Sequence, residues 1–119
     1  MRIKDSFMKM RDDYVINQVA KAVLPVFAPD AVTRVRVVFE GRVQKVGFRL
    51  EVSELAKRLG LTGFCENLDS GAVLAELQGQ SNRIDFLIDF MHSLKRIKIT
   101  HMSREALPAI PDESGFVTG

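Results

Sequence analysis

The sequence is short of the residues from which covalent and metal sites are usually built. Cys65 is its only cysteine and it has two histidines, which excludes an intrachain disulfide and a cysteine-rich zinc site. His92 and His101 lie in no recognisable catalytic signature, and no cluster of His, Asp and Glu has the spacing of metal ligands. We therefore interpret Cys65 as a small apolar strand residue, and we expect no metal or other cofactor.

Long apolar runs are also missing. None approaches the roughly 18 to 20 residues that spanning a bilayer requires. Acidic residues interrupt the basic amino end, and Lys21 splits the apolar stretch that follows, so the sequence has no signal-peptide core. We expect a soluble cytoplasmic protein that does not associate with membranes. The formal net charge of +2 is too small to imply nucleic-acid binding by itself.

The 119 residues, with 46% hydrophobic and 27% charged side chains, fit one globular domain that needs no metal or disulfide. Residues 5–24 are amphipathic and predict a helix, with Asp5 or Ser6 as its N-cap and two prolines beyond its end. We interpret residues 1–30 as an N-terminal helical extension and residues 31–119 as the main domain. The extension is expected to pack on that domain or on a second subunit, giving a monomer or a weak homo-oligomer. The apolar face of this helix comprises Met8, Val15, Val19, Ala22 and Val23.

The main domain reads as strand, helix, strand, strand, helix, strand. This order is typical of the α+β ferredoxin-like class, a split βαβ sandwich (βαββαβ) with an antiparallel sheet and two helices on one face. The fold hosts many unrelated functions and does not identify an activity. The predicted elements are a strand at 33–40, a helix from Phe48 ended by Gly60, a hairpin of 61–67 and 72–78, a helix capped by Ser81 or Asn82, a strand at 96–101 and a short strand around Phe116.

The loop from Gly41 to Phe48 connects a strand to the start of a helix. Backbone amides at such a place lack intrahelical partners, and the helix dipole presents partial positive charge, so phosphate or carboxylate can bind there. Arg49, in the first helical turn, could add a bidentate guanidinium. Nearby cations could steer small anions inward, although a charged, exposed strand face explains those on the strand equally well. These cations are Arg34, Arg36, Arg42 and Lys45.

The stretch GRVQKVGFR resembles the acylphosphatase signature G-x-V-Q-G-V-x-F-R. The similarity continues through AKRLGLTGFCENLDSGAVLAELQG and covers about residues 34–119, most closely 41–79. It includes the helix, the second strand, an asparagine at that strand's end and the following hairpin, in the family's order. Several independent motifs therefore agree, which makes the match far more specific than a glycine-containing loop.

The resemblance implies metal-independent hydrolysis of a carboxyl–phosphate anhydride to a carboxylate and inorganic phosphate. The family's catalytic arginine falls on Arg49 and its catalytic asparagine on Asn67, whose carboxamide would hold the attacking water. The substrate phosphate would be bound by amides of the loop, and a small-molecule acyl phosphate is the expected partner. The loop residues are Gln44, Lys45, Val46, Gly47 and Phe48.

The sequence departs from the family's pattern at Lys45, where the motif has its middle glycine. If the loop needs left-handed backbone geometry there, lysine costs on the order of 1 kcal/mol or changes the loop's shape. Its side chain could point outward, add charge at the phosphate mouth, or crowd the site and suppress activity. The main alternative is a catalytically silent ferredoxin-like module that binds an anion or regulates a partner. Nucleic-acid binding is the weaker alternative, because there is no tryptophan and Tyr14 is the only tyrosine.

Overall fold

A computed structural model describes residues 3–119. It is an α+β fold in which one sheet carries helices on one face, as the sequence predicted; the sheet itself is mixed. The elements are α1 (Ile3–Lys21), β1 (Val32–Arg42), α2 (Phe48–Leu59), β2 (Thr62–Asn67), β3 (Val73–Gln80), α3 (Ser81–Ser93), β4 (Lys98–Leu107) and β5 (Phe116–Thr118).

The sheet has the strand order β4-β1-β3-β2-β5. The four longer strands pair antiparallel, but β5 runs parallel to β2, with Gly63 opposite Phe116. The prediction of an antiparallel sheet was therefore wrong for the last strand. The physical reason is that β4 already runs opposite to β2, and the chain reverses its direction once more before it reaches the far edge of the sheet.

The hydrophobic core lies between this sheet and the two helices α2 and α3. The side chains of Val35, Val37 and Phe39 in β1 alternate onto the helical face and are almost fully buried. Phe39 packs against Phe48 of α2 with ring centroids 4.9 Å apart, which fixes the first turn of that helix at the end of β1. Cys65 is part of this core, and burial raises the pKa of its thiol to about 12. The prediction of a structural cysteine is confirmed.

The opposite face of the sheet carries a network of paired charges. Arg34 is only 2% exposed and makes salt bridges with Glu76 at 2.9 Å and Glu113 at 2.8 Å. Arg36 binds the second oxygen of Glu76 at 2.9 Å. Burial of Glu113 alone would raise its carboxyl pKa, but hydrogen bonds from Arg34 and Thr62 lower it below the ordinary value. Arg34 and Arg36 of β1 are thus neutralised by neighbouring carboxylates.

Helix α1 packs on α2 through Val15 and Val19, which are buried. Arg58 of α2 donates two hydrogen bonds at the end of α1, to the carbonyl of Val19 at 2.6 Å and to that of Ala22, the residue after the helix, at 2.7 Å. These bonds satisfy acceptors that a helix end leaves unpaired. The N-terminal helix is confirmed, while the division into an extension and a main domain stays a prediction.

Some helix details were predicted wrongly. Helix α1 starts at Ile3, so neither Asp5 nor Ser6 is its N-cap, and it ends at Lys21. Val23 therefore lies beyond the helix and is 91% exposed. Helix α3 has Gln80 as its N-cap, without a side-chain hydrogen bond from that residue.

The cap of α3 comes instead from a residue distant in sequence. The carboxylate of Asp30 accepts a hydrogen bond from the amide of Asn82 at 2.9 Å. Asp30 also receives the amide of its neighbour Ala31 at 2.8 Å. The segment between α1 and β1 is thereby tied to the start of α3. Within residues 3–119, none of the helices has the length and apolarity that crossing a bilayer requires.

Candidate active site

The loop between β1 and α2 adopts a left-handed conformation at two positions. Lys45 has φ of 63° and Gly47 has φ of 79°. Among residues 3–119, no backbone acceptor is bonded to the amides of residues 44 to 47. Left-handed residues among right-handed ones curve a backbone so that consecutive N–H groups converge, which makes a concavity suited to anions. The N-terminus of α2 adds its dipole at the same point.

Two side chains hold this loop in place. Gln44 donates from Nε2 to the carbonyls of Leu68 and Ala72, both at 2.9 Å, and so ties the loop to the β2–β3 turn. Arg96 donates from Nε to the carbonyl of Val46 at 2.6 Å. The loop geometry is therefore supported from both sides.

Arg96 is itself held by a buried carboxylate. Its Nη2 donates to Oε1 of Glu51 at 2.8 Å, and Glu51 is fully buried in α2. Burial raises the pKa of the Glu51 carboxyl, and the hydrogen bond and charge of Arg96 oppose that rise. The pair links the interior of α2 to the loop carbonyl, since Arg96 reaches both.

Arg49 and Asn67 lie at the same cavity as the loop. Arg49 projects from the first turn of α2, and Asn67 is the last, exposed residue of β2. A guanidinium nitrogen of Arg49 donates to the backbone carbonyl of Gly119. The cavity has a volume of about 760 Å³ and is lined by Met8, Arg11, Asp12, Val43, Lys45, Gly47, Phe48, Arg49, Leu50, Ser53, Glu54, Lys57, Asn67 and Thr118.

The lining carries more positive than negative charge. Four of its residues are cationic, namely Arg11, Lys45, Arg49 and Lys57, against the carboxylates of Asp12 and Glu54. In the described part of the chain, Arg49 makes no salt bridge with a carboxylate. An anion can therefore meet an uncompensated guanidinium here. The described residues include no group of three or more His, Cys, Asp and Glu that could hold a metal ion.

The structure brings most of the predicted site residues together. Lys45, Gly47, Phe48, Arg49 and Asn67 all line the cavity. The side chain of Gln44 and the carbonyl of Val46 instead make hydrogen bonds that support the loop. Only the backbone amides of these two residues are therefore available to an anion.

The other predicted cations lie elsewhere. Arg34 and Arg36 are paired on the opposite face of the sheet, so the idea that they steer anions into this loop was wrong. Arg42 does not line the cavity and donates to the carbonyl of Arg96 at 3.1 Å. Lys45 alone of this group stands at the cavity, where its exposed side chain adds charge beside Arg49.

Two features of the site were missed from the sequence. Helix α1 contributes Met8, Arg11 and Asp12 to the lining, although its sequence carries no sign of where it docks. The Glu51–Arg96 pair did leave a signal, because Glu51 lies three residues after Phe48 on the face of α2 that also carries Leu55. A carboxylate on a buried helix face requires a cationic or hydrogen-bonding partner.

Comparison with known proteins places the fold and this loop in one family. The acylphosphatase family model matches residues 35–118. The chain belongs to the acylphosphatase family. The match spans β1 to β5 and leaves α1 outside it.

Individual relatives agree with the family model. An acylphosphatase of Geobacillus thermodenitrificans is 38% identical over 84 residues, covering 70% of this chain and 89% of its own length. One of Rubrobacter xylanophilus is 44% identical over 84 residues, which are 70% of this chain and 76% of the relative. The crystal structure of acylphosphatase from Bacillus subtilis superposes with a TM-score of 0.68 at 26% identity, covering 75% of this chain and 99% of that one. These likenesses support a hydrolase acting on acyl phosphates.

Proposed function

We propose that this protein hydrolyses acyl phosphates without a metal ion, binding the phosphoryl group in the 44–48 loop. The observation that carries the proposal is the placement of that loop, Arg49 and Asn67 around one cavity, with loop amides that donate to no backbone carbonyl of residues 3–119. Membership of the acylphosphatase family supports the same reaction. An amide concavity beside a guanidinium that no described Asp or Glu neutralises suits a dianionic phosphoryl group.

The loop and Arg49 would act on the phosphoryl oxygens. In phosphoryl transfer, charge is spread over three equatorial oxygens in the transition state, and fixed donors aimed at them lower the barrier. The loop amides are pre-organised by Gln44 and Arg96, so little reorganisation is needed when the substrate binds. Arg49 would bind the same oxygens bidentately.

Asn67 would position the attacking water. The water oxygen forms a bond to phosphorus, the bond between phosphorus and the acyl oxygen breaks, and the carboxylate leaves with the electron pair. The proton of the water passes to solvent or to a phosphate oxygen. Because a carboxylate is already a good leaving group, an amide that orients the water suffices and a strong base is unnecessary.

Lys45 is expected to permit this reaction. The loop keeps left-handed geometry at this position, with φ of 63°, although lysine replaces the glycine of the family's motif. The lysine side chain is exposed at the cavity rim and adds a positive charge there. Its backbone amide remains available as a donor, since every residue except proline carries one.

The test is acetyl phosphate hydrolysis by the wild type and by Asn67→Ala, with Asn17→Ala of the exposed surface of α1 as a matched control. We expect wild-type turnover that persists in the presence of a chelator, a loss of about 10²-fold in Asn67→Ala, and no change in Asn17→Ala. Wild-type turnover equal to the background rate would refute the enzymatic proposal. Phosphate binding without turnover would then favour the silent anion-binding module.

A further inference from the structure

Helix α1 lies directly on the anion-binding loop. A Cβ atom built on Gly47 would stand 3.1 Å from Cγ2 of Val15 and 3.4 Å from both Cδ and Nε of Arg11. Val15 is fully buried at this contact. Since Gly47 also has a positive φ, glycine serves two needs here, the turn of the loop and the close approach of α1.

The position of α1 on the loop is fixed by further contacts. Arg96, which donates to the carbonyl of Val46, also makes two contacts with α1. Its guanidinium carbon lies 5.9 Å from the centroid of the Tyr14 ring, and its Nη1 donates to Oε1 of Gln18 at 3.5 Å. Arg58 holds the carboxyl end of the helix through the carbonyl of Val19. The helix is therefore a built part of the site wall, held at several points along its length.

We propose that α1 forms the wall of the substrate site that binds the acyl group, with Met8 as the side chain that contacts it. This inference rests on the proposed function, because it takes the loop and Arg49 as the place of the phosphoryl group. The rest of the lining then surrounds the acyl end. It consists of residues from α1 and α2, together with Val43 and Thr118.

The size of this cavity favours an acyl group larger than acetyl, and Met8 offers that group an apolar contact among largely polar side chains. A volume of about 760 Å³ lies within the range of pockets that enclose organic ligands of considerable size, and a phosphoryl with an acetyl group fills little of it. Arg11 donates two hydrogen bonds to Oδ1 of its neighbour Asp12, at 3.1 and 2.9 Å, so their charges offset each other. Met8 is left as the apolar contact of this turn, with a flexible thioether that adapts to a ligand.

The experiment compares Met8→Ala with Met10→Ala. Both changes remove the same side chain from the same helix, but Met10 is 66% exposed and does not line the cavity, whereas Met8 does. Alanine favours the helix at both positions. The ligands are phenacylphosphonate and acetonylphosphonate, stable mimics in which a CH2 group replaces the bridging oxygen of benzoyl phosphate and acetyl phosphate. Affinities are measured by calorimetry on the full chain.

We expect Met8→Ala to weaken phenacylphosphonate binding about fivefold while acetonylphosphonate binding changes by less than about twofold. Met10→Ala should leave both affinities unchanged. The inference is overturned if Met8→Ala behaves like Met10→Ala, if both ligands weaken in parallel, or if the wild type binds neither ligand. Binding is measured without turnover, so the two proposals can fail separately. If the wild type does not hydrolyse acyl phosphates but Met8→Ala still weakens only phenacylphosphonate binding, the proposed hydrolysis is refuted and the role of α1 as the acyl-binding wall is supported.

Discussion

The arginines of two neighbouring elements differ in whether carboxylates neutralise them. Arg34 and Arg36 on β1 are bonded to Glu76, and Arg34 also to Glu113. Arg49, at the start of α2, makes no salt bridge with any carboxylate of residues 3–119 and lines a cavity beside unbonded loop amides. An arginine near a loop becomes an anion site only where carboxylates are absent and backbone donors converge.

The two groups also differ in what they contribute. The pairing of Arg34 is almost fully buried, so each charge in it depends on the other, and removal of one leaves a buried charge unpaired. Arg49 is partly exposed and bonded to a carbonyl, that of Gly119. We therefore expect the β1 group to govern stability and Arg49 to govern activity.

The largest expected effect is on activity, from Arg49→Ala. We expect kcat/KM for acetyl phosphate to fall about 10³-fold, because the phosphoryl oxygens lose their charged bidentate donor. The control is Arg36→Ala, which removes the same side chain from the paired group and should leave kcat/KM within about twofold of the wild type. An equal loss in both variants would break the distinction between the two groups.

The next effect is on stability, from Arg34→Ala. The free energy of unfolding should fall by about 3 kcal/mol, because Glu76 and Glu113 lose a shared buried partner. Urea unfolding at pH 7 measures the change. The kcat of the molecules that remain folded should match that of the wild type. A stable variant with reduced kcat would assign Arg34 to the reaction and contradict its placement on the opposite face.

The smallest effect is expected from Lys45→Gly compared with Lys45→Ala. Glycine relieves the left-handed strain at φ of 63° and should raise the free energy of unfolding by about 1 kcal/mol, whereas alanine keeps the strain. Both variants lose the same exposed charge, so both should bind inorganic phosphate about twofold more weakly in calorimetry. Tighter phosphate binding in both would mean that the lysine side chain crowds the loop.

Much of this fold follows from local patterns in the sequence. The alternation of Val35, Val37 and Phe39 predicted a half-buried strand, and the spacing from Phe48 to Leu59 predicted α2, because burial of one face leaves a period in the sequence. The direction of β5 could not be predicted, since three residues around Phe116 do not specify which neighbour they pair with. The capping hydrogen bond of α3 could not be predicted either, because its acceptor, Asp30, lies in a segment distant in sequence.

The site was only partly readable from the sequence. The motif around Arg49 and Asn67 marks residues whose roles depend on a loop of fixed spacing, and these residues do meet at one cavity. The pairing of Arg34 and Arg36 depends on which carboxylates lie beside them in the fold. Predicting those neighbours requires the strand register, which the sequence did not provide. The docking of α1 on Gly47 likewise depends on shape at a contact between segments far apart in the chain.

Hydrolysis of acetyl phosphate in water enriched in oxygen-18 tests the central claim most directly, because it reports which atom the water attacks. Mass spectrometry of the products is predicted to place the label in inorganic phosphate, since in the proposed reaction the loop and Arg49 would hold the phosphoryl group for attack by a water that Asn67 would orient. Label in acetate would show attack at the carbonyl carbon and contradict this account, as would turnover no faster than the uncatalysed reaction.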